Sequence, residues 1–167
     1  MIALAVLSVL LAGALPNRSQ ALAAHQLRAA SGDLLAAVNN ARAQALARRH
    51  TVTLLALNGD WRQGWLLVDD RNGNGAADPG ETLLARHGAA PERLQIRSRF
   101  SDTTAAPYVS YNAAGRSCRA GHPNAANFGT ISLELDGAQR NIKINMQGRA
   151  RLCDPAREPD TCAGVAP

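Results

Sequence analysis

Residues 1–16 read MIALAVLSVLLAGALP and contain no charged side chain. As a helix this segment spans about 24 Å, which is less than the ~30 Å hydrocarbon core of a bilayer. An apolar start of this kind is typical of a membrane helix or of a cleaved signal peptide, and the small residues Ala12 and Ala14 would suit peptidase cleavage. The positively charged start of a signal peptide is missing, so the membrane helix is the preferred interpretation.

The residues that follow also have the sequence pattern of a helix. Residues 17–49 contain no proline and a single glycine, Gly32. The larger apolar residues of this stretch recur at helical spacing, with alanines between them, at Leu22, Leu27, Leu34, Leu35, Val38 and Leu46. Arg48, Arg49 and His50 place positive charge where a helix dipole is negative. We therefore predict one long helix, membrane-embedded and apolar all round over residues 1–22 and amphipathic over residues 23–50.

After residue 50 the apolar pattern changes to alternation, which indicates β-strands. Residues 51–57 and 61–68 are predicted strands joined by a tight turn at Asn58-Gly59, and ISLELDG with AQRNIKINM predicts a second hairpin around Asp136-Gly137. The segments LLARH, RLQIRSR and PYVSYN predict shorter strands between the two hairpins. The predicted fold is α+β, with a long N-terminal helix packed on an antiparallel β domain of residues 51–167.

Trp61 and Trp65 are four residues apart in the first predicted hairpin, so we expect both to face the same side. They would suit stacking on bases or on a partner. Because the chain has only six aromatic residues, two each of Trp, Tyr and Phe, we predict that both tryptophans belong to the core instead.

The composition is basic, with 18 Lys and Arg against 13 Asp and Glu, and all but one of the cations are arginine. A net charge of +5 can attract polyanions without specifying a fold. The three cysteines are too few for a disulfide scaffold. In an exported protein Cys153 would pair with Cys162 across a short loop with two prolines, and a pair between Cys118 and Cys153 is the alternative.

Catalytic patterns are missing from the sequence. Ser8 and Ser19 lie in the predicted helix, and there is no G-x-S-x-G motif. The four histidines have no neighbouring cysteines or carboxylates at catalytic or zinc-binding spacing: His25, His50, His87 and His122. We predict a protein that is not an enzyme.

The apolar segment that ends in Pro16, followed by an alanine-rich amphipathic stretch, resembles the N-terminal helix of type IV pilins and pseudopilins. Further along, WRQGWLLVDDRNGNGAADPGE at residues 61–81 and GRARLC at residues 148–153 are similar to the GspH/FimT branch of that family. The resemblance implies a subunit held in the inner membrane with its β domain in the periplasm, which then packs its helix against other pilins in a pilus or pseudopilus. Family members begin with a basic leader, so we expect the precursor to start upstream of Met1 and to be processed by prepilin peptidase.

Arg149 and Arg151 are two residues apart, so in a strand both would point to one face, about 7 Å apart, a spacing suited to successive phosphates. Gly148 would allow a backbone to approach closely, and a bridged Cys153 would hold the strand. Charge that protects an edge strand is the alternative interpretation. In FimT-like proteins G-R-x-R at this position is associated with DNA binding in natural transformation.

The resemblance therefore predicts DNA as a partner, bound at Gly148, Arg149 and Arg151. Further basic residues are predicted helpers, namely Arg140, Lys143, Arg116 and Arg119. The alternative function is that of a structural pseudopilin of a type II secretion system, which binds no nucleic acid.

Residues 70–81, DRNGNGAADPGE, fit the calcium-loop pattern D-x-N-x-N-G-x₅-E. The oxygen donors would be Asp70, Asn72, Asn74 and Glu81. A predicted strand rather than a helix enters this loop, and Asn and Gly are also what a long hairpin connection requires. We expect a structural loop, with calcium as the alternative, and we expect no other cofactor.

Overall fold

The computed structural model describes residues 16–103 and 106–165. Helix α1 runs from Pro16 to Arg48 and has 33 residues. Arg49 follows it in the left-handed conformation, with φ 61°, and its N–H donates to the carbonyl of Ala45 at 2.9 Å. Most of the predicted membrane-embedded segment, residues 1–15, lies outside the described residues. In the portion that is described, no helix is long and apolar enough to cross a membrane.

The buried face of α1 is a narrow stripe that recurs every three or four residues: Ala23, Leu27, Ser31, Leu34, Val38, Ala41 and Ala45. Its small residues bring the helix backbone close to the strands beneath it. The prediction that Leu22 and Leu46 belong to the same stripe is wrong, because they are 60% and 49% exposed. Each lies one residue away from a stripe position, which turns its side chain about 100° away from the sheet.

Within the described residues, nine strands form two antiparallel sheets. The strands are β1 Val52–Ala56, β2 Trp65–Asp69, β3 Thr82–His87, β4 Gln95–Phe100, β5 Tyr108–Tyr111, β6 Ser117–Cys118, β7 Gly129–Leu135, β8 Ala138–Ile144 and β9 Ala150–Cys153. One sheet has the strand order β3-β2-β1-β5-β6, and the other has the order β4-β7-β8-β9. Every pair of neighbouring strands is antiparallel. The predicted α+β fold is confirmed, with two sheets in the β domain.

The connection between β1 and β2 differs from the predicted two-residue turn. Asn58 and Gly59 do have positive φ, 50° and 75°, but the strand pairing begins only at Ala56 and Trp65. Trp61 starts a 3₁₀ turn that ends at Gln63, so the prediction of a strand from residue 61, and with it the same-face argument, is wrong. Both tryptophans are nevertheless buried, as predicted for the core, and the indole N–H of Trp61 donates to Ser98 Oγ at 3.0 Å.

The second predicted hairpin is confirmed. Strands β7 and β8 pair from Leu135 with Ala138 onward, across a two-residue turn. Asp136 and Gly137 have φ of 51° and 80°, the positive values that a tight turn between twisted strands requires.

Helix α1 packs across both sheets, with contacts to β1, β5, β7, β8 and β9. In the four-stranded sheet the inner side chains, such as Ile131, Leu133 and Ile142, are fully buried beneath it. Because successive side chains of a strand alternate between faces, the residues between these point to the opposite, outer face. The helix therefore leaves the outer face of the smaller sheet uncovered.

The C-terminal segment, residues 154–165, lies across part of that outer face. The predicted disulfide between Cys153 and Cys162 is present, with the two Cα atoms 5.9 Å apart. Asn141 donates to the carbonyl of Cys162 at 2.6 Å, and the N–H of Val165 donates to Ser132 Oγ at 2.8 Å. These contacts tie the segment to β7 and β8.

Cys118 is a free thiol, and burial raises its pKa to about 12.

Candidate nucleic-acid interface

One row of side chains crosses all four strands of the smaller sheet on its outer face. The register pairs Arg99 with Thr130, Thr130 with Lys143, and Lys143 with Arg151. Neighbouring strands lie about 4.8 Å apart, so the row extends over about 14 Å. Three cationic side chains thus stand in line on a surface that the helix does not cover.

Arg149 lies beside this row, immediately before β9 rather than inside it. Its N–H donates to Asn145 Oδ1 at 2.9 Å and its carbonyl accepts from the Asn145 N–H at 3.1 Å, which extends the pairing of β8 and β9 by one step. Arg149 and Arg151 are both exposed and both line the same groove. The structure therefore presents them on one side of the protein.

Phe128 completes the site. It comes directly before β7, two residues from Thr130, and so lies on the same outer face. Its carbonyl accepts from the N–H of Ser101 at 2.8 Å, and its own N–H donates to Ser101 Oγ at 3.3 Å. These bonds hold the backbone at this position, and the side chain is 44% exposed.

These residues line an open groove of about 820 Å³. We call it the cationic groove and define it by Arg99, Lys143, Arg149, Arg151 and Phe128. Sequence reasoning found three of the five and missed Arg99 and Phe128. Arg99 lies about 50 residues before Arg149 in the sequence, and only the pairing of β4 with β7 brings it to the site.

Two of the groove cations are held by the C-terminal segment. Arg151 donates to Glu158 Oε2 at 2.7 Å and to the carbonyl of Thr161 at 2.8 Å, and Lys143 donates to the carbonyl of Ala163 at 2.9 Å. The hydrogen bond from Arg151 lowers the pKa of Glu158, so this carboxylate is ionised at neutral pH. Arg99 and Arg149 have no ion-pair partner among residues 16–103 and 106–165.

Gly148 has a structural reason to be glycine. Its φ is 79°, and an added Cβ would lie 2.5 Å from the carbonyl oxygen of Gly115 and 2.8 Å from a ring carbon of Tyr111. Close by, Ser117 Oγ donates to the carbonyl of Asn145 at 2.9 Å. The close backbone approach predicted at Gly148 is thus made by the protein's own chain. It fixes the turn from which Arg149 projects.

The other predicted helpers lie away from the groove. Arg140 is three residues from Lys143 on β8, which places it on the opposite face, and it pairs with Asp154 at 3.0 Å. Arg116 and Arg119 flank β6 in the larger sheet and do not line the groove. The structure brings together Lys143, Arg149 and Arg151 but not the remaining three.

The loop of residues 70–81, for which calcium binding is the alternative to a structural role, is held by its own hydrogen bonds. Asp70 is fully buried, and its carboxylate accepts from Thr53 Oγ1 at 2.7 Å and from the N–H of Gly75 at 3.0 Å. The side-chain oxygens of Asn72 and Asn74 accept from backbone N–H groups two residues further on. Glu81 accepts from two more backbone N–H groups, those of Arg71 and Asp78.

No cluster of three or more His, Cys, Asp and Glu suited to a metal is found where the chain is described. Calcium binding here stays a prediction.

Comparison with known proteins identifies the family. The family model described as type II transport protein GspH matches residues 30–148. The pilin-like protein PilA1 of Thermus thermophilus is 32% identical over 152 residues, which cover 91% of this chain and 92% of PilA1.

The fold is similar to that of the type IV minor pilin FimU of Pseudomonas aeruginosa PAO1. One crystal form superposes with a TM-score of 0.60 at 21% identity, covering 79% of this chain and 91% of FimU. A second crystal form gives a TM-score of 0.57, covering 77% and 94% of the two chains. Family model, curated relative and fold agree with one another and with the predicted resemblance. The chain therefore belongs to the GspH family of pilin-like proteins and has the type IV pilin fold.

Proposed function

We propose that this minor pilin-like protein binds extracellular DNA non-specifically and serves DNA uptake in natural transformation. The cationic groove is the binding site, and the apolar N-terminal segment holds the protein in the inner membrane before it joins a pilus. A precursor with a leader would be a substrate of prepilin peptidase. The observation that carries the proposal is the row of cations on the outer face of the smaller sheet, which the helix does not cover.

The geometry supports contact with phosphates rather than with base edges. Arginine side chains bind phosphate with two parallel hydrogen bonds, and cations that neutralise phosphates release counterions from the nucleic acid. Arg149 and Arg151, about 7 Å apart, would each meet one phosphate of a strand that follows the groove. Such contacts are independent of sequence, which suits a receptor for foreign DNA.

To bind DNA, Arg151 must replace its ion pair with Glu158 by a contact with a phosphate. Its ion pair with Glu158 is solvent-exposed, with 47% and 44% of the two side chains accessible. Exposed ion pairs contribute only about 0–1 kcal/mol, so a phosphate can compete with the carboxylate. Arg149 and Arg99 need no such exchange. The groove therefore offers two immediately available cations, with Arg151 and Lys143 available after rearrangement.

A salt titration tests the proposal. Binding of a fluorescein-labelled duplex of about 20 base pairs to the full chain in non-ionic detergent would be followed by fluorescence anisotropy between about 50 and 300 mM NaCl. We expect R149Q/R151Q to weaken binding about tenfold at low salt and to reduce the slope of log K against log [salt] by roughly 2, the value for two lost phosphate contacts.

The matched control is R86Q/R93Q, which removes the same charge from exposed positions outside the groove. If both double variants lose the same affinity and slope, binding follows net charge and not the groove. If the wild-type chain binds no duplex and no single strand at about 50 mM salt, DNA binding is excluded. A structural pseudopilin of a type II secretion system is then the function that remains.

A further inference from the structure

The cationic groove contains an exposed aromatic ring, which phosphate binding does not require. Phe128 is 44% exposed, whereas Phe100, at the end of β4 beside it, is buried. The ring stands on the same face as Thr130 and two strands from Arg151. Its backbone is fixed by two hydrogen bonds with Ser101. A large apolar side chain is thus displayed in the middle of a cationic surface.

An aromatic ring beside a track of cations is the arrangement by which proteins bind single-stranded nucleic acid. The cations follow the backbone and the ring stacks on an unpaired base. In a duplex the base faces are stacked on one another, so only sugars and phosphates could reach Phe128. The ring gains nothing from a duplex and gains a stacking contact from a single strand.

Resting on the proposed function, we propose that the cationic groove takes single-stranded DNA, with one base stacked on Phe128 and flanking phosphates on Arg99, Arg149 and Arg151. Arg99 lies across the groove from the G-R-x-R pair, about 14 Å from Arg151 along the row. A single strand at about 7 Å per phosphate would cross this width with two to three phosphates. Arg99 extends the contact from β9 to the far edge of the sheet.

A preference for single-stranded DNA over duplex DNA can be distinguished from an effect of charge. Duplex DNA has the higher charge density, and each phosphate contact contributes a salt slope of about 0.9 on a duplex and about 0.7 on a single strand. Charge alone therefore favours the duplex. Tighter binding of a single strand at equal salt would report contacts with the bases.

The test compares an oligothymidine of about 20 nucleotides with the duplex of equal length in the anisotropy assay, using the full chain and the variant F128L. Leucine keeps an apolar side chain of similar size and removes the aromatic face. We expect wild type to bind oligothymidine more tightly than the duplex at about 150 mM NaCl. We expect F128L to weaken oligothymidine binding about tenfold, with duplex binding changed less than about twofold.

Two further measurements distinguish a lost phosphate contact from a lost stacking contact, and both of these from a lost fold. R99Q should weaken oligothymidine binding and lower its salt slope by about 0.7, whereas F128L should leave that slope unchanged. Thermal unfolding of each variant checks that the fold is retained.

The single-strand proposal is overturned if F128L leaves oligothymidine binding within about twofold of wild type, or if wild type prefers the duplex. In either case duplex binding by the groove stands. If F128L instead loses incorporation into filaments while keeping its affinity for oligothymidine, Phe128 is a contact with another pilin. If wild type binds neither probe, the proposed function fails as well.

Discussion

At the scale of single residues, the proposed DNA binding would compete at Arg151 with the protein's own contacts. Its guanidinium is shared between Glu158 and the carbonyl of Thr161, both from the C-terminal segment. The hydrogen bond from Arg151 lowers the pKa of Glu158, so the carboxylate that competes for Arg151 is charged at neutral pH. Removing the carboxylate should therefore free a cation for phosphate.

We expect E158Q to strengthen duplex binding about two- to fivefold at about 50 mM salt, because Arg151 loses its competing anion. The measurement is the anisotropy titration. The matched control is D160N, which removes one negative charge from the same segment at an exposed residue that has no ion pair in the described chain. Equal gains in the two variants would show that only net charge matters and that the specific contact does not.

Gly148 gives a second prediction at this scale, because a substitution there would combine an unfavourable backbone conformation with a steric clash. G148A would force alanine to a φ of 79° and place its Cβ 2.5 Å from the Gly115 carbonyl oxygen. We expect the free energy of unfolding to fall by about 2–4 kcal/mol, measured by urea denaturation.

Gly59 is the control for Gly148. Its φ is 75° and an added Cβ has nothing within 4 Å, so G59A carries the conformational cost alone, about 1 kcal/mol. The difference between the two variants measures the contact between the turn before β9 and the turn before β6. Equal losses would show that this contact does not hold the turn.

At the scale of elements, the C-terminal segment governs how the groove is presented. It is closed by the disulfide, anchored on Asn141 and Ser132, and it holds Lys143 and Arg151 through its carbonyls and Glu158. The same element covers one row of the outer face and leaves the neighbouring cationic row open. Its covalent closure is therefore expected to matter for stability.

We expect C153A/C162A to lower the free energy of unfolding by about 2–3 kcal/mol, the value for a closed loop of about ten residues. Reduction of wild type should produce a similar loss, whereas the double variant should be insensitive to dithiothreitol. Cys118 does not interfere, because its buried thiol, with a pKa of about 12, stays protonated and shielded. Equal stability of wild type and double variant by urea denaturation would refute the expectation.

At the scale of the whole molecule, the proposed assembly and the proposed DNA binding use opposite sides of the smaller sheet. Helix α1 packs on the inner faces of the sheets, and we propose that the helix also makes the contacts with other pilins in a filament. The cationic groove lies on the outer face of the smaller sheet, with the sheet itself between the two. Charge changes in the groove should therefore leave assembly intact.

We expect R149Q/R151Q to be incorporated into pili at the wild-type level, within about twofold, because no inner-face contact changes. Immunoblots of pili sheared from cells measure this, and capture of labelled DNA by the same pili should fall. Loss of the variant from the sheared fraction would place the two arginines in a subunit interface instead of a DNA site.

The sequence by itself determined what depends on near neighbours along the chain. The helix follows from its spacing and the β7–β8 hairpin from Asp136-Gly137. The sequence favours a pair between Cys153 and Cys162 but leaves Cys118 open as a partner, and the structure contains the favoured pair. In each case the relevant groups are joined by a short stretch of backbone whose geometry restricts their relative positions. The family resemblance then added a role for Arg149 and Arg151 that spacing alone left open.

Only the tertiary structure decided which distant residues share a surface. Arg99 and Phe128 join the groove because β4 pairs with β7 in one register, and a shift of one residue would turn Arg99 into the core. Arg140 lies on the opposite face because of the same alternation. Trp61 lies in a 3₁₀ turn within the eight residues that connect β1 to β2. Register is set by packing over the whole sheet, and a short stretch of sequence does not carry that information. The binding surface therefore emerges only when the strands are assembled.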